Sequence, residues 1–201
     1  MPIKLYNAKV SPYARKVRLI AAELKLPLEM IEMDFVKGDP QKPEYLAKNP
    51  NGKVPVIDDD GFVLWESMAI LKYLAGKAGK LVPADPRRRA EADQWMFWWA
   101  THGEPAIDLL IYELVLKPYF KKTGNDPSII AEGHERLGRF LPVLEKQLAG
   151  KEYVTGELSI ADFAIAPPIE LCPRVKVDLG KYPAISAWLA RLQTKPYWKD
   201  N

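Results

Sequence analysis

The segment from Asn7 to Arg18 places a serine where a strand pattern ends and a helix pattern begins. Ser11 occupies the expected N-cap, and Pro12 follows at the first helical position, where proline is favoured. The amide donors and the positive dipole end of such a helix attract a negatively charged group. A serine hydroxyl at this point either caps the helix or donates a hydrogen bond to a bound anion such as a thiolate.

Two further short segments contain residue types that suit a small charged ligand. Lys53 precedes Val54 and Pro55, and cis peptide bonds are nearly confined to the bond before a proline. Glu66 and Ser67 precede a predicted helix, where Ser67 is placed to cap the helix and to bind a carboxylate. Glu66 suits this position only if it meets a cation. Glu66 and Ser67 together therefore predict a ligand that carries both a positive and a negative charge.

The overall composition excludes several kinds of protein. At 201 residues and 48% hydrophobic content, the chain suits one globular domain or two small ones. No apolar run approaches the ~20 residues that cross a bilayer, and Met1 leads into a strand pattern without a signal peptide. The net charge of +3 is small, and the basic run 87–89 is too local for a nucleic-acid surface. We expect a cytoplasmic protein that binds neither membranes nor nucleic acid.

Few residues of this chain could form a disulfide or bind a metal. The single cysteine, Cys172, excludes an internal disulfide and a cysteine-rich metal site. The two histidines, His102 and His134, further disfavour a zinc site. We therefore predict no metal, and we expect Cys172 to be a small buried hydrophobic residue.

An alternation of strand and helix patterns over residues 1–78 must position these segments. It predicts the order β-α-β-α-β-β-α, in which residues 54–57 and 62–65 form a hairpin around the turn signal of residues 58–61. The expected architecture is a sheet with helices packed on its faces. Residues 79–86 form the predicted linker, and residues 87–201 form a second domain with helical periodicity throughout.

The helical half contains one aromatic run and one recognisable helix start. Four aromatic residues within 95–99 cannot all face a core, because a helix turns ~100° per residue. Some of them must line a pocket or an interface. Pro105 is expected to kink a long helix, and Pro118 to end it. Ser159 and Asp162 have the spacing of a capping box, which predicts a helix start rather than a catalytic pair.

Taken together, these segments resemble the cytosolic glutathione transferases, and most closely the serine-type, theta-like members. The resemblance rests on four segments, namely 11–13, 49–56, 65–70 and 159–163. Each segment alone is a weak signal, but their order and spacing are specific, and they extend over essentially the whole chain. The resemblance implies a thioredoxin-like α/β domain followed by an all-α domain, which is the glutathione transferase fold.

The resemblance also implies roles for the segments described above, with glutathione as co-substrate. Ser11 would donate a hydrogen bond to the glutathione thiolate, because the thiolate rather than the thiol is the nucleophile. Val54 would pair its backbone with the cysteinyl part, next to a cis bond to Pro55. Lys53 would meet a carboxylate, while Glu66 and Ser67 would hold the ammonium and carboxylate of the γ-glutamyl end. The alternatives are a plain N-cap for Ser11 and solvated side chains for the others.

Some positions depart from the pattern of the family. Theta-like members have a histidine near position 40 that helps to hold glutathione, whereas this chain has Pro40. Three nearby residues are candidates to replace it, namely Lys37, Gln41 and Lys42. Tyr6 is a rival thiolate donor, because tyrosine-type members use a tyrosine at the end of the first strand. Ser11 also stands where cysteine-type relatives have cysteine, which excludes dithiol chemistry by the protein itself.

The pocket for the electrophile is harder to predict than the glutathione site. Such pockets are apolar clefts with few polar groups. The resemblance puts this one between the loop before the first helix and the first helix of the second domain. Our candidates to line it are Ala8, Tyr13, Trp99, His102 and Ala106. For the last three, a place in the core or in a subunit contact is the alternative.

The leading functional hypothesis is an enzyme that conjugates glutathione to hydrophobic electrophiles. Glutathione-dependent peroxide reduction, isomerisation and dehalogenation are alternatives on the same fold. A different class of alternative is a transferase-like module that binds partner proteins without catalysis. The resemblance also implies a homodimer. Asn51 replaces the bulky aromatic that some relatives insert into the partner, so we expect a flatter and more polar interface.

Overall fold

The computed structural model describes residues 1–201, which divide into two compact units. The first unit comprises Met1–Val82 together with Pro196–Asn201, and the second comprises Pro83–Lys195. The last six residues, predicted to belong to the helical domain, group with the first unit. The remaining domain boundaries stay predictions. No helix in either unit combines the length and the apolar character needed to cross a membrane.

The first unit is a four-stranded sheet with strand order β2-β1-β3-β4. Its strands are β1 (Ile3–Asn7), β2 (Leu28–Glu32), β3 (Val56–Asp59) and β4 (Phe62–Trp65). Its helices are α1 (Pro12–Leu24), α2 (Pro43–Leu46) and α3 (Ser67–Ala78). Strand β2 runs parallel to β1, while β3 is antiparallel to both β1 and β4. This order confirms the predicted β-α-β-α-β-β-α succession and the thioredoxin-like α/β domain.

The predicted hairpin turn is shorter than the sequence indicated. Asp58 and Asp59 pair with Val63 and Phe62, so only residues 60 and 61 form the turn. Both have positive φ, at 55° and 87°, as expected for a two-residue hairpin turn. Aspartate is unusual inside a strand, but the Asp59 carboxylate accepts hydrogen bonds from Tyr73 and Lys77 of α3. These contacts explain how Asp59 is accommodated at the end of β3.

The second unit is entirely helical. Its helices are α4 (Pro86–Trp98), α5 (Glu104–Ile111), α6 (Lys117–Tyr119), α7 (Pro127–Leu148), α8 (Ile160–Ile169) and α9 (Pro183–Gln193). A short helix, α10 (Pro196–Asp200), belongs to the first unit. Wide π-type turns at Trp99–Gly103 and Tyr112–Leu116 join α4, α5 and α6 into one run. Pro105 lies in the first turn of α5, directly after a π-type turn, and the run ends at Tyr119 beside Pro118.

Helix α8 begins at the predicted capping box. Asp162 is fully buried, and its carboxylate accepts the Ser159 N–H at 2.9 Å. The same carboxylate accepts the Val154 N–H at 3.0 Å and the indole N–H of Trp188 at 2.9 Å. Asp162 therefore joins the start of α8 to the preceding loop and to α9. The prediction that this pair is structural rather than catalytic is consistent with these contacts.

Candidate functional site

The strand register brings the predicted glutathione-binding segments to one end of the sheet. Tyr6, near the end of β1, pairs with Val56 at the start of β3, and Val56 pairs with Trp65 at the end of β4. The loop after β1, the loop before β3 and the loop after β4 therefore emerge side by side. These loops contain Ser11, Lys53–Pro55 and Glu66–Ser67 respectively, although up to 56 positions separate them in the sequence.

Ser11 is the N-cap of α1, as its position in the sequence predicts. Its backbone is extended, and its hydroxyl oxygen accepts the Ala14 N–H at 3.2 Å. Its own N–H donates to the Ala8 carbonyl at 2.9 Å, which closes the turn after β1. A hydroxyl has one hydrogen to donate as well as lone pairs to accept. Capping consumes a lone pair only, so the Ser11 hydrogen remains available for an anion at the positive end of α1.

The segment Lys53–Pro55 is held in place by α2 and by the loop that follows it. The Lys53 carbonyl accepts the Tyr45 hydroxyl at 2.7 Å and the Asn49 amide at 2.8 Å, while the Lys53 side chain is exposed. The Val54–Pro55 bond is cis, as the resemblance implies. Val54 is buried in one cluster with Ala8 and Ala14, which flank Ser11. The cis-proline loop and the Ser11 turn thus pack against the same core.

The start of α3 differs from the prediction in one detail. We expected Ser67 to cap this helix, but Glu66 is the N-cap and Ser67 is the first helical residue. Glu66 has a φ of 70°, a conformation that is uncommon for a residue other than glycine and that clusters at functional sites. Its side chain is exposed, whereas Ser67 is buried. The helix amides nevertheless start at the predicted position, beside the end of β4.

The three residues predicted to replace the missing histidine lie in the loop after β2, and their contacts differ. Lys42 pairs with Asp39 at 2.6 Å, and Lys37 pairs with Asp34 at 3.6 Å. Gln41 instead lies against Gly52, where a Cβ would be only 2.6 Å from the Gln41 amide nitrogen. Gly52 also has a φ of 59°, a left-handed conformation that favours glycine. Gln41 is therefore adjacent to the loop that contains Lys53.

Tyr6, the rival donor, lies on the other face of the sheet from α1. Neighbouring strand residues point to opposite faces, and Asn7 faces α1 through a bond to Arg18. The Tyr6 ring packs on Tyr45 of α2 with a centroid distance of 5.4 Å, and Lys48 Nζ lies 5.6 Å from its centroid. It lines a cavity of about 270 Å³ beside α2. This placement favours a packing role for Tyr6.

The predicted electrophile-pocket residues are divided between the two units. In the first unit Ala8 is buried, and Tyr13 is half-buried with Lys16 Nζ 5.0 Å from its ring centroid. In the second unit Trp99 and Ala106 are fully buried, whereas His102 is exposed and stacks on Phe140. The aromatic run behaves as expected, because Trp95 and Trp99 face inward while Phe97 is 64% exposed. The pocket assignment itself stays a prediction.

Asp108, which was not among the predicted site residues, lies on α5 two residues after Ala106. Burial raises the pKa of this carboxyl to about 7, so that near neutral pH it is partly protonated. The available signal was an acidic residue inside the apolar run 106–111. A partly buried carboxyl with a shifted pKa is a candidate functional group.

The single thiol of the chain is chemically inaccessible in the folded state. Cys172 is fully buried, and burial raises its pKa to about 12. We expect Ellman's reagent to label the native protein negligibly at about pH 8 and to label one thiol after denaturation, because only an exposed thiolate reacts. Rapid stoichiometric labelling of the native protein would contradict this prediction. No cluster of three or more His, Cys, Asp or Glu side chains could hold a metal ion.

Comparisons with known proteins match both units. The family "Glutathione S-transferase, N-terminal domain" matches residues 1–76, and "Glutathione S-transferase, C-terminal domain" matches residues 108–196. A glutathione S-transferase from Hyoscyamus muticus is 31% identical over 205 residues, covering 98% of this chain and 96% of the relative. A disulfide-bond oxidoreductase from Escherichia coli strain K12 is 33% identical, covering 96% and 91% respectively.

A solved structure agrees with these matches. The crystal structure of a glutathione S-transferase from Pseudomonas fluorescens Pf-5 superimposes with a TM-score of 0.89 at 36% sequence identity. The alignment covers 98% of this chain and 97% of that one. The likeness therefore includes both the sheet unit and the helical unit.

Proposed function

Because the chain belongs to the glutathione S-transferase family, we propose that it is a serine-type, theta-like transferase in which Ser11 stabilises the thiolate of bound glutathione. The reaction is the attack of this thiolate on a hydrophobic electrophile. The observation that carries the proposal is the Ser11 hydroxyl, which accepts the Ala14 N–H yet keeps its own hydrogen to donate. Capping and thiolate stabilisation are therefore compatible in one side chain.

The magnitude of this effect suits the chemistry. Glutathione is mostly a thiol at neutral pH, whereas the thiolate is the nucleophile. One charge-assisted hydrogen bond contributes roughly 1.5–3 kcal/mol, which corresponds to roughly one to two pKa units. The positive end of α1 acts in the same direction. Together these interactions make the thiolate the major form of bound glutathione near neutral pH.

The other segments fit the two ends of glutathione. The first amides of α3 and the Ser67 hydroxyl suit the γ-glutamyl carboxylate, and the exposed Glu66 suits the neighbouring ammonium. Val54 would pair its backbone with the cysteinyl part. The exposed Lys53 suits the glycine carboxylate, and Gln41 takes the place of the missing histidine. The support for Gln41 is its position against Gly52, next to Lys53, whereas Lys37 and Lys42 are paired with Asp34 and Asp39.

The proposal is tested by ultraviolet difference absorbance of the full-length protein with glutathione across pH. We expect a thiolate band with a midpoint at least one pH unit below that of free glutathione. Binding without a thiolate band would contradict the role of Ser11. The absence of any glutathione binding would favour the partner-binding module instead.

A second candidate function is the glutathione-dependent reduction of disulfides. It is favoured by the 33% identity to a disulfide-bond oxidoreductase. Ser11 excludes a protein dithiol, and Cys172 is buried, so glutathione itself would supply the thiolate. That thiolate would attack one sulfur of the disulfide, form a mixed disulfide and release the other sulfur as a thiolate. Steady-state rates with a model disulfide and with a chloro-nitrobenzene electrophile would separate the two reactions.

The residues proposed to contact the electrophile remain those that the resemblance implies, namely Ala8, Tyr13, Trp99, His102 and Ala106. The apolar character of most of these residues supports a hydrophobic substrate. Peroxide reduction, isomerisation and dehalogenation use the same thiolate and remain alternatives that depend on this pocket. A cytoplasmic location also stays a prediction.

The functional protein is proposed to be a homodimer. Phe62 and Trp65 on β4 are 49% and 36% exposed, and Phe97 on α4 is 64% exposed. Exposed aromatic residues of this size are typical of interfaces. Asn51 is exposed and bonded to the side chain of Asn49, which fits the flatter interface expected there. Sedimentation as a monomer at micromolar concentration would refute the dimer.

A further inference from the structure

We infer that Arg18 positions the loop that carries Ser11, an inference that rests on the proposed function. Arg18 lies on α1, two turns beyond Ser11, and only 5% of its surface is exposed. A buried arginine is uncommon, and its five N–H donors need partners. The partners of Arg18 come from the segment that leads to Ser11 and from the other end of the chain.

The guanidinium of Arg18 links three separate segments of the chain. One terminal nitrogen donates to the Asn7 side-chain oxygen at 2.5 Å. The other donates to the Lys9 carbonyl at 3.3 Å and to the Asn201 carbonyl at 3.4 Å. Asn7 ends β1, Lys9 lies in the loop before Ser11, and Asn201 follows α10. One side chain therefore connects the sheet, the loop and the C-terminal segment to the helix whose N-terminus binds the anion.

The loop depends on this contact because its own residues are exposed. Lys9 and Val10 both project into solvent, so side-chain burial does not fix this part of the loop. Its two ends are fixed by main-chain bonds, from Met33 N–H to the Asn7 carbonyl and from Ser11 N–H to the Ala8 carbonyl. Between them, Arg18 holds the Lys9 carbonyl, so it sets the shape of the turn that presents the Ser11 hydroxyl.

Asn7 forms hydrogen bonds with both Arg18 and the oppositely charged Glu32. Asn7 is 2% exposed and its amide nitrogen donates to the Glu32 carboxylate at the end of β2. Its oxygen accepts from Arg18, so Asn7 lies between a buried cation and a carboxylate. This arrangement offsets the cost of burying the guanidinium, because the charge has both hydrogen-bond partners and an anion nearby.

The C-terminal segment is held on the same helix by a second arginine. Arg15 donates to the carbonyls of Trp198 and Asn201 at 3.1 and 3.0 Å, and its guanidinium lies 5.7 Å from the Trp198 ring centroid. Tyr197 donates to Glu23, near the far end of α1. This last contact attaches the segment to α1 at a distance from Ser11, and it therefore provides a matched control.

The test compares the thiolate midpoint of bound glutathione in wild type, Arg18→Gln, Arg18→Lys and Tyr197→Phe. A displaced hydroxyl weakens a directional hydrogen bond, so we expect Arg18→Gln to raise the midpoint by about half to one pH unit and the KM for glutathione about 3–10-fold. Arg18→Lys keeps the charge but not the fork of donors, and its midpoint should lie between the two. Tyr197→Phe loses an attachment of the segment and should leave the midpoint unchanged.

The outcomes separate this inference from the proposed function. An unchanged midpoint in both Arg18 variants would overturn the inference while leaving the serine-type mechanism intact. An equal shift in Tyr197→Phe would also overturn it, because general loosening of α1 would then explain the effect. Failure of wild type to form a thiolate would refute the proposed function itself. If Arg18→Gln does not fold, Arg18→Lys with the same readout decides the question.

Discussion

Replacing Ser11 with alanine is expected to lower kcat/KM for conjugation by about 10–100-fold, because loss of one charge-assisted bond removes roughly 1.5–3 kcal/mol of thiolate stabilisation. The midpoint of the bound thiolate should rise by one to two pH units. The rate loss should shrink as the pH rises, because at high pH glutathione ionises without help. Steady-state kinetics from mildly acidic to alkaline pH, together with thiolate absorbance, measure both quantities.

Two control variants separate the loss of the hydrogen bond to the thiolate from the loss of the helix cap. Ser11 also caps α1 through the Ala14 N–H, and alanine at an N-cap costs about 0.5–2 kcal/mol of stability, whereas glycine costs only a few tenths. Ser11→Gly should therefore fold almost as stably as wild type yet lose as much activity as Ser11→Ala. Ser11→Thr retains a hydroxyl and should retain most of the activity. Near-wild-type activity in Ser11→Gly would assign the effect to the cap alone.

The features that could be predicted from the sequence are those that depend on residues close together in the sequence. The cap at Ser11 and the box at Ser159 involve groups within a few positions of one another. A residue type with a known local preference is sufficient to predict them. By contrast, the convergence of the three loops depends on pairing between β1 and β3, about fifty residues apart. Only the resemblance to a family supplied that information.

Other features were missed for identifiable physical reasons. The positive φ of Glu66 has no signal in the sequence, because glutamate has no preference for that conformation. The prediction therefore placed the cap one residue too late. The grouping of the last six residues with the first unit depends on contacts between Arg15 and Trp198, which are separated by 183 positions. Periodicity indicates that this segment is helical but does not indicate where it packs.

The largest stability effect is expected at Asp162. Its carboxylate accepts N–H groups from Val154, Ser159 and Trp188 in a site without solvent. Burial raises its pKa to about 6, against the opposing effect of these donors, so that it is ionised at neutral pH. Asp162→Ala removes the common acceptor of three buried N–H groups and of the Ser159 hydroxyl. We expect the free energy of unfolding to fall by about 3–5 kcal/mol.

Urea denaturation followed by tryptophan fluorescence and circular dichroism would measure this loss, and two further variants identify its cause. Asp162→Asn preserves the volume but turns an NH₂ group towards donors, so it should be nearly as unstable as Asp162→Ala. Trp188→Phe removes one donor and some buried ring volume but keeps the carboxylate bonded to Val154 and Ser159, so it should cost about 1–2.5 kcal/mol, less than Asp162→Ala. If Asp162→Asn were as stable as wild type, loss of volume rather than unpaired donors would explain the effect in Asp162→Ala. The carboxylate would then not be the group that joins the start of α8 to α9.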